Sequence, residues 1–112
     1  SLTEIARTAQ DIEVRAKAGQ LTASEANGST FTISLLGIVD AFTPIINPPE
    51  VGILGIGRAT EKPAVVKGQV VPRSFATFSL TLDHRAIDGA VGASFLRRLL
   101  RLIEQPSQFF SI

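Results

Sequence analysis

The sequence predicts an α/β fold, a two-layer unit in which a mixed sheet is covered by helices. Three observations predict it. Apolar residues step by three and four at both ends of the chain, the mark of amphipathic helices. In two stretches between them they alternate, the mark of strands. The strands follow one another with a hairpin among them, so the sheet is mixed rather than built from strict strand–helix repetition.

Leu2, Ile5, Ala9, Ile12 and Ala16 share one face of the first helix, with Arg7, Glu13, Arg15 and Lys17 mostly on the other side. Gly19 suits a left-handed cap at its end. Thr22 and Glu25 have capping-box spacing and predict one short helical turn, and Asn27-Gly28 predicts a turn. From Thr30 to Leu36, Phe31, Ile33 and Leu35 face one way and Thr32 and Ser34 the other, predicting a strand buried on its apolar side. Gly37 to Pro49 has no clean period. It is expected to be an ordered loop, because Phe42, Ile45 and Ile46 are too apolar to be left in water.

Val51 to Gly57 is predicted as a central strand whose glycines admit close backbone neighbours. Glu61-Lys62-Pro63 is predicted to turn the chain. Ala64–Val66 and Val70-Val71 flank a three-residue hairpin loop, Lys67-Gly68-Gln69. Arg73 to Leu82 is predicted as one strand with Ala76, Phe78, Leu80 and Leu82 on its apolar face, where a continuation would also put His84. Asp88 opens a helix to about Glu104 with Val91, Phe95, Leu99 and Leu102 as its core stripe, and Pro106 marks its end.

At 112 residues the chain is long enough for one modest domain. It is 45% hydrophobic, yet no apolar run approaches the roughly 20 residues of a membrane span. The surplus apolar surface is expected to meet protein, either another part of the same polypeptide or a neighbouring subunit. A net charge of +1 gives no electrostatic argument for nucleic acid. Arg97, Arg98 and Arg101 form the one basic cluster, read as a solvated helix face or interface ahead of an anion site. The absence of Cys excludes disulfides, thiolate zinc sites and a Cys nucleophile. With one His and no Cys, no metal site is expected. No Met is present and the chain opens within a helical pattern, which suggests a fragment, with a processed N-terminus as the alternative; no targeting segment is visible.

Chemistry concentrates in Asp83-His84-Arg85-Ala86-Ile87-Asp88-Gly89, where a strand gives way to a helix. His84 reads either as a hydrogen-bonded core histidine or as a general base. Burial would favour the neutral imidazole a base needs, and nearby carboxylates would fix its tautomer. Asp88 reads as the N-cap of the last helix and could also orient a partner. Arg85 could pair with Asp83 or with Asp88. Ser34 needs no function as a sheet-lining hydroxyl. A Ser34–His84–Asp88 hydrolase triad is disfavoured, because Ser34 lies in no Gly-x-Ser-x-Gly elbow. Gly52, Gly55 and Gly57 lack phosphate-loop spacing.

Asp-His-Arg-x-x-Asp-Gly at Asp83 to Gly89 resembles the signature of the dihydrolipoyl acyltransferases, the core subunits of the 2-oxoacid dehydrogenase complexes. Phe31-Thr32-Ile33-Ser34 resembles a strand of that family. Pro44 to Glu50 with Gly52-Ile53-Leu54-Gly55 resembles its Asn-x-Pro loop and next strand, and Leu2 to Leu21 its preceding helix and turn. The resemblance implies that residues 1–112 are the C-terminal half of the catalytic domain, with a chloramphenicol acetyltransferase-like fold. It implies trimers assembled into a larger core, with active sites between subunits. It further implies acyl transfer between dihydrolipoamide and coenzyme A, with His84 as general base, Asp88 supporting the site and Ser34 stabilising the oxyanion. Coenzyme A would be a substrate, and the lipoyl group would ride on a separate domain. Decarboxylase and dihydrolipoamide dehydrogenase subunits would bind through further domains, in bacterial cytoplasm or mitochondrial matrix. The alternative within the resemblance is a non-catalytic core subunit, or an inactive fragment that only oligomerises. Two features depart from the family: Leu35 follows Ser34 where Ser or Asn is common, and Gly37 to Phe42 is shorter than usual.

Overall fold

The computed structural model describes residues 1–111. In chain order the elements are α1 (Leu2–Lys17), β1 (Thr32–Leu36), β2 (Gly52–Gly57), β3 (Thr60–Val66), β4 (Gln69–Phe75), β5 (Phe78–Leu82), α2 (Gly89–Glu104) and a 3-10 helix (Pro106–Ser111). They fall into two compact units, one spanning residues 30–97 and the other combining residues 1–29 with the chain from Arg98 onward. None of the helices among the described residues is long and apolar enough to cross a membrane.

The unit of residues 30–97 is built on a mixed three-stranded sheet in the order β1-β2-β5. β1 runs parallel to β2, and β5 runs antiparallel to it. Ile53 and Leu54 of the central strand are its buried core. The first turns of α2 lie over one end of one sheet face, at Gly52, Leu82 and Phe31. Gly92 is buried there against Leu82, which occupies the space a side chain would need. The rings of Phe31 and Phe95 meet at 5.9 Å and 53°.

The loop from Gly37 to Pro49 folds across the other face, ordered as expected. Thr81 Oγ1 donates to the Pro44 carbonyl at 2.7 Å, and Thr32 Oγ1 to Glu50 Oε2 at 2.6 Å. Phe42 and Pro44 press on Gly55, where a built Cβ would stand 2.9 Å from the Phe42 ring and 3.1 Å from Pro44. This loop reverses the expected burial of β1. Thr32 and Ser34 are half-buried, while Ile33 is 61% and Leu35 70% exposed. The apolar loop needed a surface to cover and took the face carrying the hydroxyls.

Two predictions around the hairpin are corrected. Glu61-Lys62-Pro63 is not a turn; it lies within β3, which pairs antiparallel with β4 as a separate two-stranded ribbon. The connecting loop has two residues, not three, because Gln69 pairs with Val66. Lys67 (φ 50°) and Gly68 (φ 77°) are both left-handed, the conformation whose twist matches a hairpin. Pro63 stands opposite Pro72, three steps from the closing pair. Alternation along the ladder makes that a non-hydrogen-bonded position, so neither missing N–H is needed there. The run from Arg73 to Leu82 is likewise two strands. Phe75 ends the ribbon opposite Thr60, Thr77 accepts a hydrogen bond from Gly57 N at 3.1 Å, and Phe78 joins the main sheet opposite Ile56.

In the other unit Ser1 and Glu4 form a capping box on α1, which ends with Gly19 at φ 67° as the sequence suggests. The α1 stripe is exposed along Leu2, Ile5 and Ile12. Thr22 and Glu25 exchange the two bonds of a capping box, at 2.9 and 3.3 Å, but close only a turn. The Glu25 carboxylate accepts from both terminal nitrogens of the Arg15 guanidinium, at 2.9 and 2.7 Å, which ties the turn back to α1.

Candidate active site

The chain leaves β5 at Asp83, a residue held three ways. Its N–H donates to the Val51 carbonyl at 2.9 Å, which extends the ladder with β2 by one step. Its carbonyl accepts from the N–H groups of Ala86 and Ile87, each at 3.0 Å, and so closes a tight turn. Its carboxylate accepts from the Arg85 backbone N–H at 3.0 Å and from the Arg85 guanidinium at 2.7 to 3.2 Å. Arg85 therefore pairs with Asp83, which decides between the two partners open to it. The guanidinium, helped by the backbone N–H, holds the Asp83 carboxyl down at about 2.

His84 rides on this turn and is exposed, not buried on the apolar face as strand alternation suggests. Alternation stops applying at Asp83, where the backbone curls. His84 makes no hydrogen bond or ion pair among the described residues. Asp88 is the N-cap of α2: its Oδ1 accepts from Val91 N–H at 2.9 Å and its carbonyl from Gly92 N–H at 3.2 Å. No group of metal-ligating side chains exists among the described residues.

Beneath the turn lies an open cleft of about 210 Å³ between the sheet and the start of α2. Phe31, Val51, Gly52, Leu80, Leu82, Ile87, Val91, Gly92 and Phe95 line it. Sequence periodicity marked Val91 and Phe95 as core but carried no signal that the core would be left open here.

Ser34 lies elsewhere. It pairs with Gly55, which in turn pairs with Ser79. Asp83 is bonded at Val51, so Ser34 is two strands across and four residues along from the His84 turn. With strands about 4.8 Å apart and a rise of about 3.3 Å per residue, the backbone separation is about 16 Å. The structure brings His84 and Asp88 into one segment and leaves Ser34 outside it. A Ser34–His84–Asp88 hydrolase triad within one chain is thereby ruled out, since a nucleophile and its base must stand within hydrogen-bond reach.

Residues 1–111 match the family model described as 2-oxoacid dehydrogenases acyltransferase (catalytic domain). The acetyltransferase component of the Staphylococcus aureus pyruvate dehydrogenase complex is 44% identical over 108 residues, covering 95% of this chain and 25% of that protein. Among solved structures, the Azotobacter vinelandii dihydrolipoamide acetyltransferase superposes with a TM-score of 0.80 at 43% identity, covering 91% of this chain and 43% of that one. In that enzyme a serine, a histidine and an asparagine were investigated for their role in catalysis. The cubic core of a pyruvate dehydrogenase complex superposes with a TM-score of 0.80 at 41% identity, covering 91% of this chain and 43% of that one. The chain thus spans about a quarter of the curated relative and under half of each solved core. The Asp-His-Arg-x-x-Asp-Gly turn, the mixed sheet that carries it and the match along residues 1–111 together show that this chain belongs to the 2-oxoacid dehydrogenase acyltransferase family, within its catalytic domain.

Proposed function

We propose that this chain carries the acyl-transfer chemistry of its family, moving an acyl group between the thiols of dihydrolipoamide and coenzyme A. The observation that carries the reading is the presentation of the chain's one imidazole, exposed on a turn pinned through Asp83. His84 takes the proton from the attacking thiol. The thiolate adds to the thioester carbonyl, a carbon–sulfur bond forms, and negative charge collects on oxygen. The Ser34 hydroxyl donates to that oxygen. The intermediate collapses by breaking the other carbon–sulfur bond, and the departing thiolate takes the proton back from His84.

The spacing supports these roles. In the Azotobacter enzyme the serine precedes the histidine by 52 positions and the asparagine follows it by four. Here Ser34 precedes His84 by 50 and Asp88 follows by four. The missing two positions match the short segment after Gly37. Because Ser34 and His84 lie about 16 Å apart in one chain, the reading requires Ser34 from one copy and His84 from another. A cubic core among the structural neighbours supports such an assembly. In this reading residues 1–112 are the C-terminal half of the catalytic domain, the lipoyl group arrives on a separate domain, and the decarboxylase and dihydrolipoamide dehydrogenase dock elsewhere on the same subunit.

The test is acyl transfer from acyl-coenzyme A to dihydrolipoamide, run on this chain and on a catalytic domain of full family length that carries it. Turnover is expected in the longer protein. His84→Ala is expected to cost about 10² to 10⁴ in rate, and Ser34→Ala about 10² to 10³. Turnover within a few-fold of the parent after His84→Ala would remove the base assignment. Absence of turnover in the parent would favour a non-catalytic core subunit.

A further inference from the structure

We propose that Asp83 and Arg85 act as a positioning pair for His84, locking the peptide on both sides of the imidazole. The inference rests on the acyl-transfer reading for its consequence but not for its geometry. The Asp83 carboxylate accepts from the Arg85 N–H and from two nitrogens of its guanidinium, at 2.7 to 3.2 Å. The backbone N–H and carbonyl of Asp83 are committed to Val51 and to Ala86 and Ile87. The residue before His84 and the residue after it are therefore fixed to each other and to the sheet.

The Arg85 side chain is 91% exposed. The Asp83 side chain is 21% exposed, but a pair with one partner this open to water is screened and contributes little to stability. What it supplies is geometry: a planar fork on one carboxylate sets the direction of the turn, which a lysine cannot reproduce. It also sets the local charge. Paired, the two charges that flank His84 in the chain largely cancel; unpaired, either one would bias the imidazole. Two further carboxylates adjoin the turn in the chain or across the sheet: Asp88, on the same segment, and Glu50, next to Val51 and held by Thr32 on the loop-covered face. The first turns of α2, from Gly89 to Leu96, carry no charge.

The experiment uses the fact that His84 is the one histidine of the chain, so its imidazole gives a single NMR titration. Asp83→Asn leaves an unneutralised guanidinium on the residue next to His84, which disfavours imidazolium, and the midpoint is expected to fall by a few tenths of a unit. Arg85→Gln leaves a bare carboxylate, and the midpoint is expected to rise by a similar amount. Arg85→Lys keeps the charge and loses the fork, so the midpoint in this chain is expected to stay while kcat for acyl transfer, read in the catalytic domain of full family length, drops at least about tenfold with little change in KM. A titration unmoved by both charge variants, or full kcat in Arg85→Lys, would overturn the pairing role. Opposite midpoint shifts in a protein without acyl transfer would uphold the pair's setting of His84 and defeat the functional reading instead.

Discussion

The strand register makes a prediction about assembly that can be worked to a number. Ser34 and the His84 turn are held about 16 Å apart by two strand spacings and four residues of rise. No side-chain rotation closes that gap, and β2 between them is the most buried strand of the sheet. If both groups serve one reaction, they meet across an interface between copies. Two inactive variants, His84→Ala and Ser34→Ala, should then complement each other. In a one-to-one random assembly of full-length catalytic domains, an interface is intact when the copy offering His84 carries the Ser34 lesion and its neighbour carries the other. That occurs at about one quarter of the interfaces of a cyclic assembly. Acyl transfer by the co-assembled mixture should recover to about a quarter of the parent rate, from single variants depressed by about 10² or more. Recovery should vanish when the variants are assembled separately and mixed without exchange. A co-assembled mixture that stays as inactive as its components would refute the shared site.

Two further outcomes follow from local packing and charge. Gly57→Ala would set a Cβ 2.6 Å from the Asp40 carbonyl carbon and 3.0 Å from the Val39 oxygen, both backbone atoms. The loop must move, straining the Arg58 N–H to Val39 bond and the Arg58–Asp40 ion pair, and urea unfolding should show a loss of about 1–3 kcal/mol. An unchanged midpoint would mean that the loop does not rest on β2. Glu25, held by the Arg15 guanidinium first and the Thr22 N–H second, titrates at about 2 rather than the ordinary 4.5. Its depressed value means the Arg15–Glu25 contribution is complete above about 4.5 and is lost as pH falls through about 2. Carbon-13 titration of its carboxyl should show this, and Arg15→Ala should return the midpoint to the ordinary range; a parent midpoint near 4.5 would contradict the tie.

Elements governed by neighbours in sequence were legible. The period of α1, the left-handed Gly19, the Asp88 cap and the Gly-rich central strand all depend on a few adjacent residues, and the structure has them all. The errors arose where a distant segment chose. A proline within β3 reads as a turn until Pro72 is seen opposite Pro63. Alternation through Phe75 and Phe78 reads as one strand, because a change of sheet leaves no mark on the pattern.

The candidate site divides in the same way. The sequence by itself determined that Asp83, His84, Arg85 and Asp88 would share one turn between a strand and a helix, since their spacing is short enough for local hydrogen bonds to close it. It also determined the family, through motifs spread over nearly the whole chain. Among local partners, only the folded turn decided that Arg85 takes Asp83 rather than Asp88 and that His84 stands in solvent, while tertiary packing decided that the hydroxyl face of β1 lies under the loop. It alone decided that Ser34 and His84 are kept apart within one copy. The physical reason is that register and face are set by what packs across a sheet, and those partners lie tens of residues away along the chain.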